Sequence, residues 1–221
     1  MTVCLQGGGE FSAGCREMDA QLLVGLDGPV VVTALAGRPG SDYRTASANG
    51  VRHFLGLGAA DVSAAPDVRE DPEGALEALQ SARLLVLPGG SPSRLLTALT
   101  DTPVGAVVVD LLTAGGRVMG ASAGAMVLGP WTVLPDRRAG QRSVVPGLGV
   151  VPVAVVPHWA GPRDKRDWVE ALLAKGVPVL GLPEESGVLV EAGVVTAVGR
   201  RSTTLVGEPG ELAVGDSWRV P

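Results

Sequence analysis

Aromatic residues are nearly missing from this sequence: two Phe, one Tyr and four Trp make up 3% of 221 residues. A core must therefore be built from Val, Leu and Ala. Cysteine is as scarce, with Cys4 and Cys15 only. Two cysteines cannot form a disulfide framework, and neither has zinc-ligand spacing. Both are read as reduced core residues, and no metal or other cofactor is expected. No basic run is present and the formal net charge is −5, which argues against nucleic acid or an anionic membrane surface as a partner. No apolar run reaches the ~20 residues of a membrane span. The N-terminus lacks the basic-then-apolar pattern of a signal peptide. These absences lead to the expectation of a cytoplasmic protein and leave a homo-oligomer open. Histidine is limited to His53 and His158, which narrows any choice of general base.

What is abundant is apolar and flexible. Hydrophobic residues make up 46% of the chain, beside 32 glycines and 17 prolines. That composition supports a sizeable core with many short, sharp connections, and the length fits one domain over residues 1–221. Apolar runs at 2–6, 29–34, 61–65, 83–87 and 117–120 alternate with helical stretches at 12–23, 42–57, 71–81, 93–99 and 104–114. Ser12 is a candidate cap for the first helix. The β-branched runs lack polar alternation, as expected for strands covered on both faces. The fold class is therefore read as α/β: a doubly wound, mostly parallel sheet with helices on both faces. Residues 131–149 read as a loop, 150–156 and 177–181 as further strands, and 164–174 as a helix. Beyond residue 187 the helical period vanishes, and the short strands there read as an antiparallel C-terminal extension of the main sheet.

The densest chemistry lies in Gly120-Ala121-Ser122-Ala123-Gly124, placed between a short strand and an apolar helix start. A small-x-Ser-x-small turn of this kind pushes the serine Oγ out of the backbone. Small residues are needed on both sides because the backbones pass closely. Taken alone it is also what any tight strand-to-helix turn looks like. A serine needs a base, and the base an orienting acid. His53 lies mid-helix among apolar residues, a structural setting. His158 follows a strand, at the edge where doubly wound sheets carry their sites. Asp136, Glu184 and Glu185 are candidate acids. Glu184 is preferred because it follows a strand end directly, whereas Asp136 sits beside Arg137 and Arg138. An oxyanion hole would take the N–H of Ala123 and that of Gly90 in the Pro88-Gly89-Gly90-Ser91 turn. Gly7-Gly8-Gly9 lacks the third glycine of a dinucleotide fingerprint and reads as a turn. The order Ser, His, acid also speaks against an α/β-hydrolase.

The Pro-Gly-Gly turn, the Ser122-Ala123-Gly124-Ala125 elbow, His158-Trp159 and Gly181-Leu182-Pro183-Glu184 together resemble one family. It is the serine peptidase family of dipeptidase E (aspartyl dipeptidase) and cyanophycinase, whose fold is like the class I glutamine amidotransferases. Gly7-Gly8-Gly9-Glu10 and Val32-Thr33-Ala34 fit it too, so the resemblance spans nearly the whole chain. It implies a Ser122–His158–Glu184 triad, an acyl-enzyme and a short peptide substrate with Asp before the scissile bond. It also implies that Arg163 and Arg166 read the acidic side chain, Arg163 first. The chain departs from the pattern at Ser91, a further candidate for substrate binding, where relatives carry Asn, Asp or Gln, and around His158, which makes cyanophycinase-like hydrolysis the weaker alternative. The other alternative is a catalytically idle or regulatory amidotransferase-like binding domain; glutaminase chemistry itself would need Cys at the elbow.

Overall fold

The computed structural model describes residues 1–135, 142–161, 163, 165–207 and 210–221. The first half of the chain alternates strand and helix: β1 (Thr2–Gln6), a 3-10 turn (Ala13–Cys15) running into α1 (Arg16–Gln21), β2 (Val30–Val32), α2 (Ser41–Gly56), β3 (Val62–Ala64), α3 (Pro72–Ser81), β4 (Leu84–Leu87), α4 (Pro92–Asp101), α5 (Val104–Thr113), β5 (Arg117–Ala121) and α6 (Ala123–Leu128). The second half is richer in strands: β6 (Trp131–Pro135), β7 (Arg142–Pro146), β8 (Ala154–Val156), α7 (Arg166–Leu173), β9 (Val179–Gly181), β10 (Ser186–Glu191), β11 (Val194–Gly199), β12 (Thr203–Val206), β13 (Glu211–Leu212) and β14 (Ser217–Arg219).

The central sheet has the order β14-β11-β10-β1-β5-β4-β2-β3. Strands β1 to β5 pair in parallel, while β10 joins β1 antiparallel and carries β11 and β14 outward. The mixed α/β architecture, with its mostly parallel central sheet, is thus as the sequence indicates. Side-chain alternation along each strand divides the core into two faces. Val3, Leu5, Val31, Leu85, Leu87 and Val118 pack with α3, α4, α5 and α6. Cys4, Val30, Val32, Leu84, Val86 and Met119 pack with Met18 of α1, Leu22 just after it and Phe54 of α2. Local chemistry sets the helix starts. Asp71 accepts from Gly74 N–H at 3.0 Å ahead of α3, and Ser91 accepts from Arg94 N–H at 3.3 Å ahead of α4. Each cap is followed by a proline in the first turn, where its missing N–H costs nothing.

Three expectations need correction. The stretch read as a loop after α6 contains the β6–β7 hairpin. The strand expected over 150–156 pairs only at its end. Ahead of that end, Leu148 and Val150 donate to the carbonyls of Val127 and Leu128, so the segment is tied to α6. The late strands are also divided between two sheets. Strands β8 and β9 leave the central sheet and, with β12 and β13, form a second one in the order β13-β12-β9-β8. It has its own apolar cluster, which includes Met126, Val133, Val156, Trp159, Leu172 and Val179. Among the described residues, no single helix is long and apolar enough to cross a membrane.

Candidate active site

The carboxyl ends of β1, β4 and β5 meet the ends of β8 and β9 at one place. Ser122 follows β5 and takes φ 49°, ψ −106° at the start of α6. Such a conformation costs a non-glycine residue on the order of 1–3 kcal/mol and persists only where the surroundings hold it. They do so here. Ser122 N–H donates to the Gln6 carbonyl at 2.9 Å, and its carbonyl accepts from Met126 N–H at 3.0 Å. A Cβ on Gly120 would lie 2.6 Å from the Gly124 carbonyl carbon, and one on Gly124 would lie 2.2 Å from the Leu87 carbonyl oxygen. The elbow closes only with glycine at both places.

His158 reaches Ser122 from the other sheet. Its N–H donates to the Gly7 carbonyl at 2.8 Å, and Trp159 N–H donates to the Leu182 carbonyl at 3.0 Å. The first bond ties the exit of β8 to the end of β1. Side chains are excluded at the crossing. A Cβ on Gly7 would sit 2.1 Å from the Pro183 carbonyl oxygen, and one on Gly8 would sit 2.4 Å from His158 Cε1. Gly8 (φ 129°) and Gly9 (φ 71°) also adopt backbone angles that glycine accepts readily. The triple glycine is therefore a turn, and the turn is a shelf under the histidine ring.

Ser122 Oγ lies 2.8 Å from His158 Nε2, and His158 Nδ1 lies 3.0 Å from Glu184 Oε1. A carboxylate can only accept, so in the neutral ring the proton sits on Nδ1 and Nε2 is left to accept from the serine hydroxyl. The histidine and glutamate side chains are 44% and 62% exposed. The relay therefore opens to solvent, where a substrate can reach it.

Glu185 is turned away from the histidine. Its N–H donates to the Gly8 carbonyl at 2.9 Å. Its carboxylate accepts from Ser12 Oγ at 2.8 Å and Arg200 Nη1 at 3.1 Å. The Ser12 hydrogen bond, then Arg200, lowers its pKa from the usual carboxylate value. Ser12 thus spends its hydroxyl on Glu185 and makes no side-chain cap at the helix start.

Gly90 takes φ 140°, and a Cβ there would lie 2.7 Å from the Ala36 carbonyl oxygen. Among the described residues its N–H makes no backbone hydrogen bond, and Ala123 N–H sits at the start of α6. Ser91 donates its N–H to the Ala36 carbonyl at 2.9 Å and caps α4 with its hydroxyl. Arg163 lies on an exposed turn and Arg166 opens α7, also exposed. No hydrogen bond or ion pair among the described residues joins either arginine to Ser122, His158 or Glu184. Asp136 lies outside the described residues.

The other histidine is buried. His53 Nε2 lies 2.7 Å from Asp19 Oδ2, and Asp19 Oδ1 accepts from Gln6 Nε2 at 2.5 Å. Phe11 and Phe54 pack on the imidazole. Both cysteines are free and buried. Burial raises the Cys4 thiol above its usual range and pushes Cys15 up to about 11, so neither is a thiolate nucleophile at neutral pH. Among the described residues no group of three or more His, Cys, Asp or Glu could hold a metal ion.

The sequence presents Glu10 only as the end of the Gly7-Gly8-Gly9-Glu10 run and assigns it no role; its Oε1 accepts from Gly89 N–H at 2.8 Å beside the serine. The available signal was its place straight after the triple glycine, at the carboxyl end of β1.

A hydroxyl at a strained strand-to-helix turn, hydrogen-bonded to an imidazole that is oriented by a carboxylate, is the working arrangement of serine hydrolases. Comparison with known proteins agrees with that class. The model of peptidase family S51 matches residues 41–198. The chain is 34% identical over 165 residues to Peptidase E of Streptomyces coelicolor, covering 67% of this chain and 68% of that protein. It is 27% identical over 149 residues to Peptidase E of Salmonella arizonae, covering 63% and 65%. The chain belongs to peptidase family S51 and is a serine-type peptidase. Its fold matches the crystal structure of a peptidase from an acI-B1 Actinobacterium, with a TM-score of 0.78 at 24% identity over 99% of this chain and 96% of that one.

Proposed function

We propose that the protein hydrolyses short peptides by an acyl-enzyme route, with Ser122 as nucleophile, His158 as general base and acid, and Glu184 as the orienting carboxylate. The observation that carries this reading is the unbroken relay from Ser122 Oγ through His158 to Glu184, at 2.8 Å and 3.0 Å. In the first half-reaction, Ser122 Oγ attacks the scissile carbonyl carbon while its proton passes to His158 Nε2. Glu184 holds Nδ1–H and offsets the charge on the imidazolium. The N–H groups of Gly90 and Ala123 receive the oxyanion. Collapse breaks the C–N bond, and the leaving amine takes the proton from Nε2. Water then adds to the Ser122 ester with the same histidine as base, which releases the acid and restores the serine. None of these steps calls on a cofactor.

The substrate assigned is a peptide with Asp before the scissile bond. Arg163 and Arg166, exposed a few residues beyond His158, are the groups assigned to grip that side chain, since a guanidinium binds a carboxylate through two parallel hydrogen bonds. The test is turnover of a panel of Asp-X, Glu-X and neutral dipeptides by the wild type and Ser122→Ala. The wild type should cleave Asp-X best and the variant none. Equal inactivity of the two on every peptide sinks the proposal. Arg163→Ala should flatten the preference for Asp; an unchanged preference removes Arg163 from the pocket.

A further inference from the structure

Three carboxylates converge on the triple-glycine shelf, and two of them have settled partners. Glu184 accepts from His158, and Glu185 accepts from Ser12 and Arg200. Glu10 is different. Its Oε1 accepts only the Gly89 N–H, at 2.8 Å, and no cationic side chain among the described residues pairs with it. It is partly exposed and stands against the nucleophile. The point that a Cβ on Gly89 would occupy is 2.8 Å from Glu10 Oε1 and 3.1 Å from Ser122 Cβ. The carboxylate and the serine thus flank the same glycine, one residue before the proposed oxyanion donor Gly90.

A bare negative charge at that place opposes the reaction, because the transition state develops an oxyanion close by. The conflict disappears if the substrate brings a cation of its own. In a peptide whose first residue precedes the scissile bond, the α-ammonium nitrogen is two bonds, or about 2.5 Å, from the carbonyl carbon under attack. It must then lie beside Ser122 and the Gly89–Gly90 turn. One hydrogen bond from Gly89 leaves the carboxylate with further acceptor positions for ammonium protons.

We infer that Glu10 binds the free α-ammonium group of the substrate and so restricts cleavage to the bond after the first residue. The inference rests on the peptidase reading above and adds a specificity residue to it. A blocked or internal residue offers only a neutral amide nitrogen at the same place, which leaves the carboxylate uncompensated. Glu10 therefore both attracts the unblocked terminus and disfavours the interior of a longer chain.

Glu10→Gln provides the test, since its amide oxygen can still accept from Gly89 N–H while the charge is gone. Steady-state kinetics of wild type and variant are compared on Asp-Leu and N-acetyl-Asp-Leu. The variant should lose about 10- to 100-fold in kcat/KM on the free-amine peptide, mainly through KM, as expected for one charge-assisted contact. On the acetylated peptide it should match or exceed the wild type. The wild-type kcat/KM for Asp-Leu should also fall as the substrate amine deprotonates near its pKa of about 7.7–8.0, and that limb should be absent from Glu10→Gln. An equal effect on both peptides would reduce Glu10 to a prop for the Gly89 turn and overturn the inference. Calorimetric titration of Asp-Leu into Ser122→Ala, with and without Glu10→Gln, reads the same contact without turnover. If the wild type cleaves nothing, the peptidase reading falls while this titration still decides on Glu10. Equal affinity in the two proteins overturns the ammonium site, and weaker binding without the Glu10 charge upholds it.

Discussion

The chain has two histidines, and each is paired with a carboxylate. His53 and Asp19 lie 2.7 Å apart, with side chains 4% and 0% exposed. His158 and Glu184 lie 3.0 Å apart, with side chains 44% and 62% exposed. The chemical groups are alike and the settings are opposite. In the buried pair both carboxylate oxygens are used, one by His53 and one by Gln6, and two phenylalanines enclose the ring. No reactant can reach it. In the exposed pair the acid takes only Nδ1 and leaves Nε2 facing a serine hydroxyl. A histidine–carboxylate contact is therefore not in itself a catalytic sign. What distinguishes the two is whether the second ring nitrogen faces a group that can react, on a side open to substrate.

The comparison breaks most clearly at the histidines themselves. His158→Ala should lower kcat/KM by about 10⁴-fold or more while leaving the melting temperature nearly unchanged; His53→Ala should do the reverse. Loss of turnover at full stability in the second variant would exchange their roles. Next comes the acid. Glu184→Gln should reduce kcat by roughly 10²- to 10⁴-fold through loss of ring orientation, and Asp136→Asn should leave it alone; the opposite ranking would move the acid to Asp136. On the buried side, Asp19→Ala strands His53 and Gln6 without an acceptor, and should cost about 3–5 kcal/mol in urea unfolding with m unchanged. A smaller effect is expected at Gly8→Ala, whose Cβ would meet His158 Cε1 at 2.4 Å. It should cut kcat by about 10- to 100-fold and leave KM nearly constant, as a displaced base rather than a lost binding contact requires.

The smallest effect concerns Glu185. Its pKa is lowered in the folded protein, so the unfolded state binds more protons between the folded and unfolded values. Its contribution to stability is present above the usual glutamate value of about 4.3 and is lost as pH falls through the lower folded value. Glu185→Gln should therefore flatten part of the stability decline below that pH, measured by denaturant midpoints from pH 6 to 3. An unchanged acid profile would show that Ser12 and Arg200 do not favour the ionised form.

Much of this could be read from residue order. The apolar runs of β1, β2, β4 and β5 announce buried parallel strands. Ser122 stands out by its small neighbours, and the scarcity of histidine leaves few candidates for the base. The partition into two sheets was not legible, because short buried apolar runs have the same composition in either sheet: Ala154-Val155-Val156 and Val179-Leu180-Gly181 pair with each other, and the second with β12, rather than with β1. Prolines and arginines concealed the β6–β7 hairpin, since its pairing is local but its pattern is not clean alternation. Ser12 has the composition of a cap, and only the fold brings Glu185, 173 residues later, within reach of its hydroxyl. Glu10 ends the Gly7-Gly8-Gly9-Glu10 run, which by itself gives it no role. Its position matters because β4 delivers Gly89 beside it.

The antiparallel pairing of β1 with β10 bears on the order in which the site is assembled. Thr2 faces Glu191 and Gln6 faces Gly187, so the shelf at the end of β1 has its second flank only after the chain has been made well past the glutamate pair. Long-range closure of this kind is slow relative to local helix formation, so the proposed site is expected to be completed late in folding.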